Sequence, residues 1–99
     1  MTKETNTAQD IVTATLNERG NNYGAFIGQA TICQDIKDVL RASNNWKILA
    51  PDQKECLEMV AHKVARILNG NPNFLDSWLD LSGYTKLVYD RLSTNNTVS

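Results

Sequence analysis

The residues best suited to chemistry are charged side chains on two consecutive predicted helices. Lys63 and Arg66 lie on one helix, and Asp76 and Asp80, four residues apart, lie on the next. A glycine and a proline separate the two segments, which favours a helical hairpin. Opposite charges on adjoining helices predict either an internal ion pair or the wall of a binding site. Asp80 lies in mid-helix at the border of an apolar stripe, where a carboxylate needs a partner such as Lys63 or Arg66.

A second group of titratable residues lies earlier on the same helix as Lys63. Glu55 and Glu58 are one helical turn apart and could share a divalent cation such as Mg²⁺, which prefers oxygen ligands and commonly keeps several waters. The alternative is a solvated face with charge pairs along the helix. His62, the only histidine, has no nearby Ser or Cys nucleophile in the sequence, and we interpret it as a polar-face or interface residue.

The third group is the segment 19–24, R-G-N-N-Y-G. Glycines around Tyr23 at a helix start leave backbone N–H groups free to meet an anion. Tyr23 could stack on a base while Arg19 contacts phosphate. The alternative is an ordinary turn between helices in which Tyr23 packs as an apolar side chain.

Four helices must position these groups, because the apolar residues follow a helical period and none follow a strand period. Thr7 and Asp10 are typical of a capping box, and Asn71 or Asn73 is expected to cap the last helix. The predicted helices are 7–20, 23–42, 51–69 and one from about 74 to 92, with turn residues at 21–22, a loop carrying Trp46 at 43–50 and a left-handed cap at Gly70. We expect one all-α domain over 7–92, with frayed termini at 1–6 and 93–99.

Apolar side chains at helical spacing give three predicted core stripes. They are Phe26, Ala30, Cys33, Ile36 and Leu40; then Leu57, Val60, Ala61, Val64 and Leu68; then Phe74, Trp78, Leu81, Thr85, Val88 and Leu92. Gly24 and Gly28 weaken a helix, which predicts that another helix or a ligand packs close to them. Leu75 and Leu79 lie off the last stripe and predict a subunit interface; the alternative is a helix sandwiched between two others.

Composition limits the classes of partner. The 99 residues suit one domain, and a net charge of −1 provides no overall field for long nucleic acid or a membrane surface. Two cysteines without metal spacing are expected to be reduced core residues. The start of the chain lacks an apolar signal core, and no run of eighteen apolar residues exists, so we expect a soluble, cytoplasmic protein.

Three sequence segments carry a family resemblance. E-R-G-N-N-Y-G-A-F at 18–26, H-K-V-A-R-I-L at 62–68 and N-P-N-F-L-D-S-W-L-D-L-S-G-Y at 71–84 resemble a small family of tailed-phage and prophage proteins. The D-x-W-x-D-x-x-G-Y element is similar to the closing helix of MazG-like all-α nucleotide pyrophosphohydrolases. This resemblance implies a compact, MazG-like four-helix fold in a phage protein that acts in the host cytoplasm. The interface predicted from Leu75 and Leu79 adds assembly into a homo-oligomer. It also implies Mg²⁺ held by acids on two neighbouring helices, for cleavage of nucleoside triphosphates.

The match to the hydrolase pattern is partial. Asp80 matches the final aspartate of that pattern, whereas Asp76 is one residue out of register and Lys63 and Arg66 stand where metal-binding acids are expected. The sequence therefore favours nucleotide binding without hydrolysis, for example to sequester a host signalling or defence nucleotide. In that hypothesis the phosphate and base contacts are Arg19, Tyr23, Lys63 and Arg66, and Asp76, Asp80 and Tyr84 orient ribose, base or metal.

Two other functions stay open at this point. The first is a Mg²⁺-dependent pyrophosphohydrolase in which Glu55, Glu58 and Asp80 hold the metal and a metal-activated water attacks. The second is an inhibitor that binds a host protein through Trp46, Leu75 and Leu79.

Overall fold

The computed structural model describes residues 7–96, with the side chains of residues 7–94. The helices are α1 (Ala8–Tyr23), α2 (Phe26–Ala42), α3 (Pro51–Asn69) and α4 (Leu75–Asn96), with a short 3₁₀ turn at Trp46–Ile48. No strand occurs in this part of the chain, so the four-helix, all-α prediction is confirmed. Residues 93–96 continue α4, and the fraying expected at 1–6 and 97–99 lies outside the described residues.

The first helix begins as predicted and ends later. The Asp10 backbone N–H donates to Thr7 Oγ1 at 3.1 Å, and the Thr7 N–H donates to Asp10 Oδ2 at 3.3 Å, which forms the capping box. The turn predicted at 21–22 is wrong, because both residues lie within α1, which continues to Tyr23. The break comes at Gly24, whose φ of 78° favours glycine. The second helix consequently starts three residues later than predicted.

Helix α3 lies between α2 and α4 and buries two of its faces. Ala61 and Ala65 pack with Cys33 of α2, while Lys63 reaches the side of α4. Small side chains let the helices approach closely, which the predicted leucine stripe did not anticipate. Leu57 and Leu68 of that stripe are exposed, so this prediction is wrong at both ends. The sandwiched helix is thus α3, whereas the sequence pattern suggested this arrangement as an alternative for α4.

The stripes of α2 and α4 are only partly buried. Phe26 and Thr85 are exposed, and Trp78 is half exposed, with its indole N–H donating to the Pro72 carbonyl at 2.7 Å. No large side chain is fully buried among the described residues. Cys33 and Cys56 are buried free thiols, as predicted.

The α3–α4 turn packs directly against the α1–α2 turn. Gly70 has φ −137°, so the predicted left-handed cap is wrong. Glycine is required there for another reason: a Cβ atom would lie 2.3 Å from the Asn22 carbonyl oxygen and 2.4 Å from Tyr23 Cα. The Asn71 N–H donates to the same Asn22 oxygen at 2.7 Å. This contact fixes Tyr23 against the end of α3.

Candidate functional site

The structure separates the predicted site residues into two groups. Arg19, Tyr23 and Arg66 line one cavity of about 440 Å³ between α1, α2 and α3, here called the α1–α3 cavity. Its full lining is Leu16, Arg19, Gly20, Tyr23, Gly24, Ala25, Phe26, Gln29, His62 and Arg66. The other four predicted residues, Lys63, Asp76, Asp80 and Tyr84, do not line it.

Arg66 and Tyr23 contact each other in the lining of the α1–α3 cavity. The Arg66 guanidinium carbon lies 4.1 Å from the centroid of the Tyr23 ring, which is cation–π geometry. Tyr23 is held edge-on by Phe74, with ring centroids 5.7 Å apart. Arg66 Nε is buried without a hydrogen-bond partner among the described residues. A buried charged donor without a partner is costly, and an anionic ligand would supply the missing acceptor.

Asn69, at the end of α3, holds the backbone on which Tyr23 sits. Its side-chain amide donates to the Tyr23 carbonyl at 2.9 Å and the Ala25 carbonyl at 2.8 Å. A Cβ at Gly24 would lie 2.1 Å from the Asn69 carbonyl oxygen, and one at Gly28 would lie 2.5 Å from Asn69 Oδ1. Either another helix or a ligand was predicted to pack close to these glycines, and the neighbour is another helix, α3. Asn69 was not among the residues predicted from sequence, although Gly24 and Gly28, four residues apart, indicated that another group packs close to them.

The electrostatic environment of the cavity is positive. Burial lowers the pKa of His62 from 6.5, and the nearby cations Arg66, Lys63 and Lys37 lower it further, in that order. Gln29 is buried at the cavity wall and carries an amide that can both donate and accept. The cavity thus combines charge for an anion with ring faces and an amide for a planar polar group.

The second group is an ion pair between helices. Lys63 Nζ lies 2.9 Å from Asp80 Oδ2, so of the two cations considered for Asp80 the structure selects Lys63. The Lys63 side chain is nearly buried, whereas the Asp80 side chain is 45% exposed. Asp76 is exposed one turn earlier, and Tyr84 is half-buried. This geometry is that of the internal ion pair predicted as one alternative.

The three acids considered for Mg²⁺ do not converge. Glu58 Oε2 accepts from Arg41 at 3.1 Å, Asp80 faces Lys63, and Glu55 is exposed. Among the described residues, no three His, Cys, Asp or Glu side chains lie close enough together to hold a metal ion. Glu55, Glu58 and Asp80 therefore do not come together as metal ligands. Glu58 is paired with Arg41, and Asp80 is paired with Lys63.

No protein-family model, curated protein sequence or solved structure matches this chain. The resemblance to phage and MazG-like proteins accordingly stays a prediction. None of the helices within residues 7–96 is both long and apolar enough to cross a bilayer.

Proposed function

We propose that this protein binds a nucleotide in the α1–α3 cavity. The observation that carries the proposal is the Arg66 guanidinium, stacked on Tyr23 with a buried Nε–H that has no acceptor among the described residues. A phosphate oxygen is a suitable acceptor, because arginine binds phosphate through charge-assisted hydrogen bonds. The stacking on Tyr23 holds the guanidinium in place before a ligand arrives, which reduces the entropy lost on binding.

Size and lining agree with such a ligand. A cavity of about 440 Å³ falls within the range of roughly 300–1,000 Å³ typical of small-molecule sites. Arg19 and His62 add positive or ionisable groups beside Arg66, and the exposed ring of Phe26 offers a stacking surface for a base. The Gln29 amide suits the hydrogen-bonding edge of a base.

The resemblance to phage and prophage proteins supports a biological role for this binding. We propose that the protein is phage-encoded and sequesters a host signalling or defence nucleotide without hydrolysing it. The pairing of Asp80 with Lys63 and of Glu58 with Arg41 favours binding over the Mg²⁺-dependent alternative, because those acids already have cationic partners. The sequence also predicted a second copy of the chain as a partner. The exposed leucines of α4 support this self-association.

Calorimetric titration with a panel of linear and cyclic nucleotides, with and without Mg²⁺, tests the proposal. We expect saturable binding that Arg66→Gln weakens by at least tenfold, because the charged donor to phosphate is removed. Arg41→Gln is the matched control, since Arg41 pairs with Glu58 and does not line the cavity. Product analysis of the same samples completes the test. Mg²⁺-dependent pyrophosphate release would establish the enzyme instead, and no response to any nucleotide would favour the inhibitor that binds a host protein.

A further inference from the structure

His62 lies in the lining of the α1–α3 cavity, one helical turn before Arg66 on α3. Residues four apart on a helix have Cβ atoms about 5–6 Å from each other, so the two side chains border the same side of the cavity. A neutral imidazole has one N–H donor and one acceptor nitrogen, whereas an imidazolium is a charged donor at both nitrogens. The protonation state of His62 therefore decides what it can offer an anion beside Arg66.

The charged groups around His62 are mainly cations, and they come from three helices. Arg19 of α1 and Arg66 of α3 line the same cavity. Lys37 of α2 and Lys63 of α3 lie close enough to disfavour the imidazolium, as Arg66 does. No Asp or Glu side chain is found among the described residues that line the cavity. The cavity is thus suited to receive negative charge.

The acids in this part of the fold do not offset the cations around His62. Glu58, one turn before His62, accepts from Arg41 at 3.1 Å, and Asp80 of α4 pairs with Lys63 at 2.9 Å. The acids at the end of α1 and in the middle of α2 are exposed and do not line the cavity, namely Glu18, Asp35 and Asp38. An anion in the cavity would consequently bring negative charge that the described side chains do not supply.

An anion beside His62 would reverse the effect that the cations have on it. Burial lowers the pKa of His62 from 6.5, and the cations around it, Arg66 first, lower it further. An opposite charge within about 4–6 Å moves a pKa the other way, by roughly one to three pH units. Because linkage between two binding events is reciprocal, protonation of His62 must then tighten the binding of the anion by the same factor.

We infer that the phosphate of the ligand lies between Arg66 and His62, and that His62 takes up a proton when this phosphate binds. The proton comes from solvent and adds to the unprotonated ring nitrogen, so that the imidazolium and the Arg66 Nε–H each donate to a phosphate oxygen. The inference rests on the proposed nucleotide site and adds a pH dependence to it. Binding should tighten about tenfold as the pH falls from above the pKa of His62 in the complex to below its pKa in the free chain, if the two differ by about one pH unit.

Proton NMR of the unmodified chain with sulfate tests the inference without a known nucleotide. His62 is the only histidine, so its ring signals are identified at once, and their shift with pH gives its pKa. A phosphate monoester gains a proton near about pH 6, whereas sulfate keeps a constant charge and leaves His62 as the titrating group. Sodium chloride keeps the ionic strength equal, because salt alone screens the cations. We expect sulfate to raise the pKa of His62 by about one pH unit or more.

Two variants locate the sulfate. Arg66→Gln should abolish the effect of sulfate on the pKa of His62, and should itself move that pKa toward 6.5 because a cation is lost. Arg41→Gln is the matched control, since Arg41 is held by Glu58 and does not line the cavity. Sulfate should act on this control as on the unmodified chain. A rise that persists in Arg66→Gln would show an adventitious ion only and would overturn the inference, as would an unchanged pKa in the unmodified chain.

Calorimetry with each nucleotide that binds, in two buffers of different ionisation enthalpy, counts the protons taken up. Comparing the unmodified chain with His62→Gln cancels the protons of the nucleotide itself. For a rise of about one pH unit, the unmodified chain should take up about half a proton more per nucleotide at the pH midway between the two pKa values. Binding with equal proton uptake in both would overturn this inference and leave nucleotide binding standing. A sulfate effect at His62 with no nucleotide bound would support the anion site and contradict nucleotide binding.

Discussion

Replacing Asp80 by Asn should destabilise the protein far more than replacing its partner. The Lys63 side chain is nearly buried and its Nζ lies 2.9 Å from Asp80 Oδ2, so Asp80→Asn leaves a largely buried cationic side chain without its anion. Breaking a fully buried pair in this way costs roughly 3–5 kcal/mol. Because Asp80 is 45% exposed, water can partly replace it, and we expect a loss of about 2 kcal/mol. For a domain of this size that loss lowers Tm by roughly 10 °C.

The converse change removes the buried charge itself. Lys63→Met keeps an unbranched side chain of similar length and leaves Asp80 half exposed to water, so the free energy of unfolding should change by no more than about 1 kcal/mol. The double variant should resemble Lys63→Met alone. Asp90→Asn is the matched control, because the Lys86–Asp90 pair lies on the surface and is worth no more than about 0.5 kcal/mol.

Urea unfolding of the four variants, at one protein concentration, measures these differences. Equal losses for Asp80→Asn and Lys63→Met would refute the reasoning, as would a loss below about 0.5 kcal/mol for Asp80→Asn. Nucleotide affinity provides the second readout. Since Asp80 does not line the α1–α3 cavity, folded Asp80→Asn should bind as the unmodified chain does.

Three further predictions concern the cavity and the turns that support it. Asn69→Ala removes both hydrogen bonds to the α1–α2 turn and should lower the free energy of unfolding, measured by chemical denaturation, by about 2 kcal/mol. The control is Asn44→Ala at an exposed turn position, which should change it by less than about 0.5 kcal/mol. Gly70→Ala should lower the free energy of unfolding by about 2 kcal/mol or more in the same assay, because its Cβ meets backbone atoms. Gly20→Ala, where the Cβ lies in open space, should raise it by up to about 1 kcal/mol. The opposite order would contradict the packing of the two turns. Because the pKa of His62 is lowered from 6.5 in the folded chain, the unfolded chain takes up this proton first, so stability should fall as pH decreases below about 6.5, and His62→Gln should remove that part of the slope.

The sequence predicted the helices well because their signals are local. The Thr7–Asp10 capping box and Pro51 at the start of α3 act within one helical turn of themselves, and both are present in the structure. The end of α1 was predicted too early, at Gly20, since a glycine followed by two asparagines is typical of a turn. The helix continues to Tyr23, and the break comes at Gly24. At Gly24 the Asn69 carbonyl leaves no room for a Cβ atom, whereas Gly20 lies in open space.

The site was less predictable because its assembly depends on contacts distant in the chain. Arg19, Tyr23 and Arg66 were proposed from their residue types, but that they line one cavity follows from long-range contacts such as the bond from Asn69 to the Tyr23 carbonyl, more than forty residues away. Lys63 and Arg66 are three residues apart and looked equivalent in the sequence. The sandwiching of α3 turns Lys63 toward α4 and leaves Arg66 at the α1–α3 cavity, which residue spacing alone could not distinguish.

We propose that a nucleotide binds against Arg66 in the α1–α3 cavity. The most direct test follows the Arg66 Nε–H signal by NMR during titration with the nucleotide that calorimetry identifies. We expect this signal to shift and to exchange more slowly with water, because the buried Nε–H gains an acceptor, while the Trp46 indole signal stays unchanged. An unchanged Arg66 signal at saturating nucleotide, with the shifts centred instead on Lys63, Asp80 and Tyr84, would contradict nucleotide binding at Arg66.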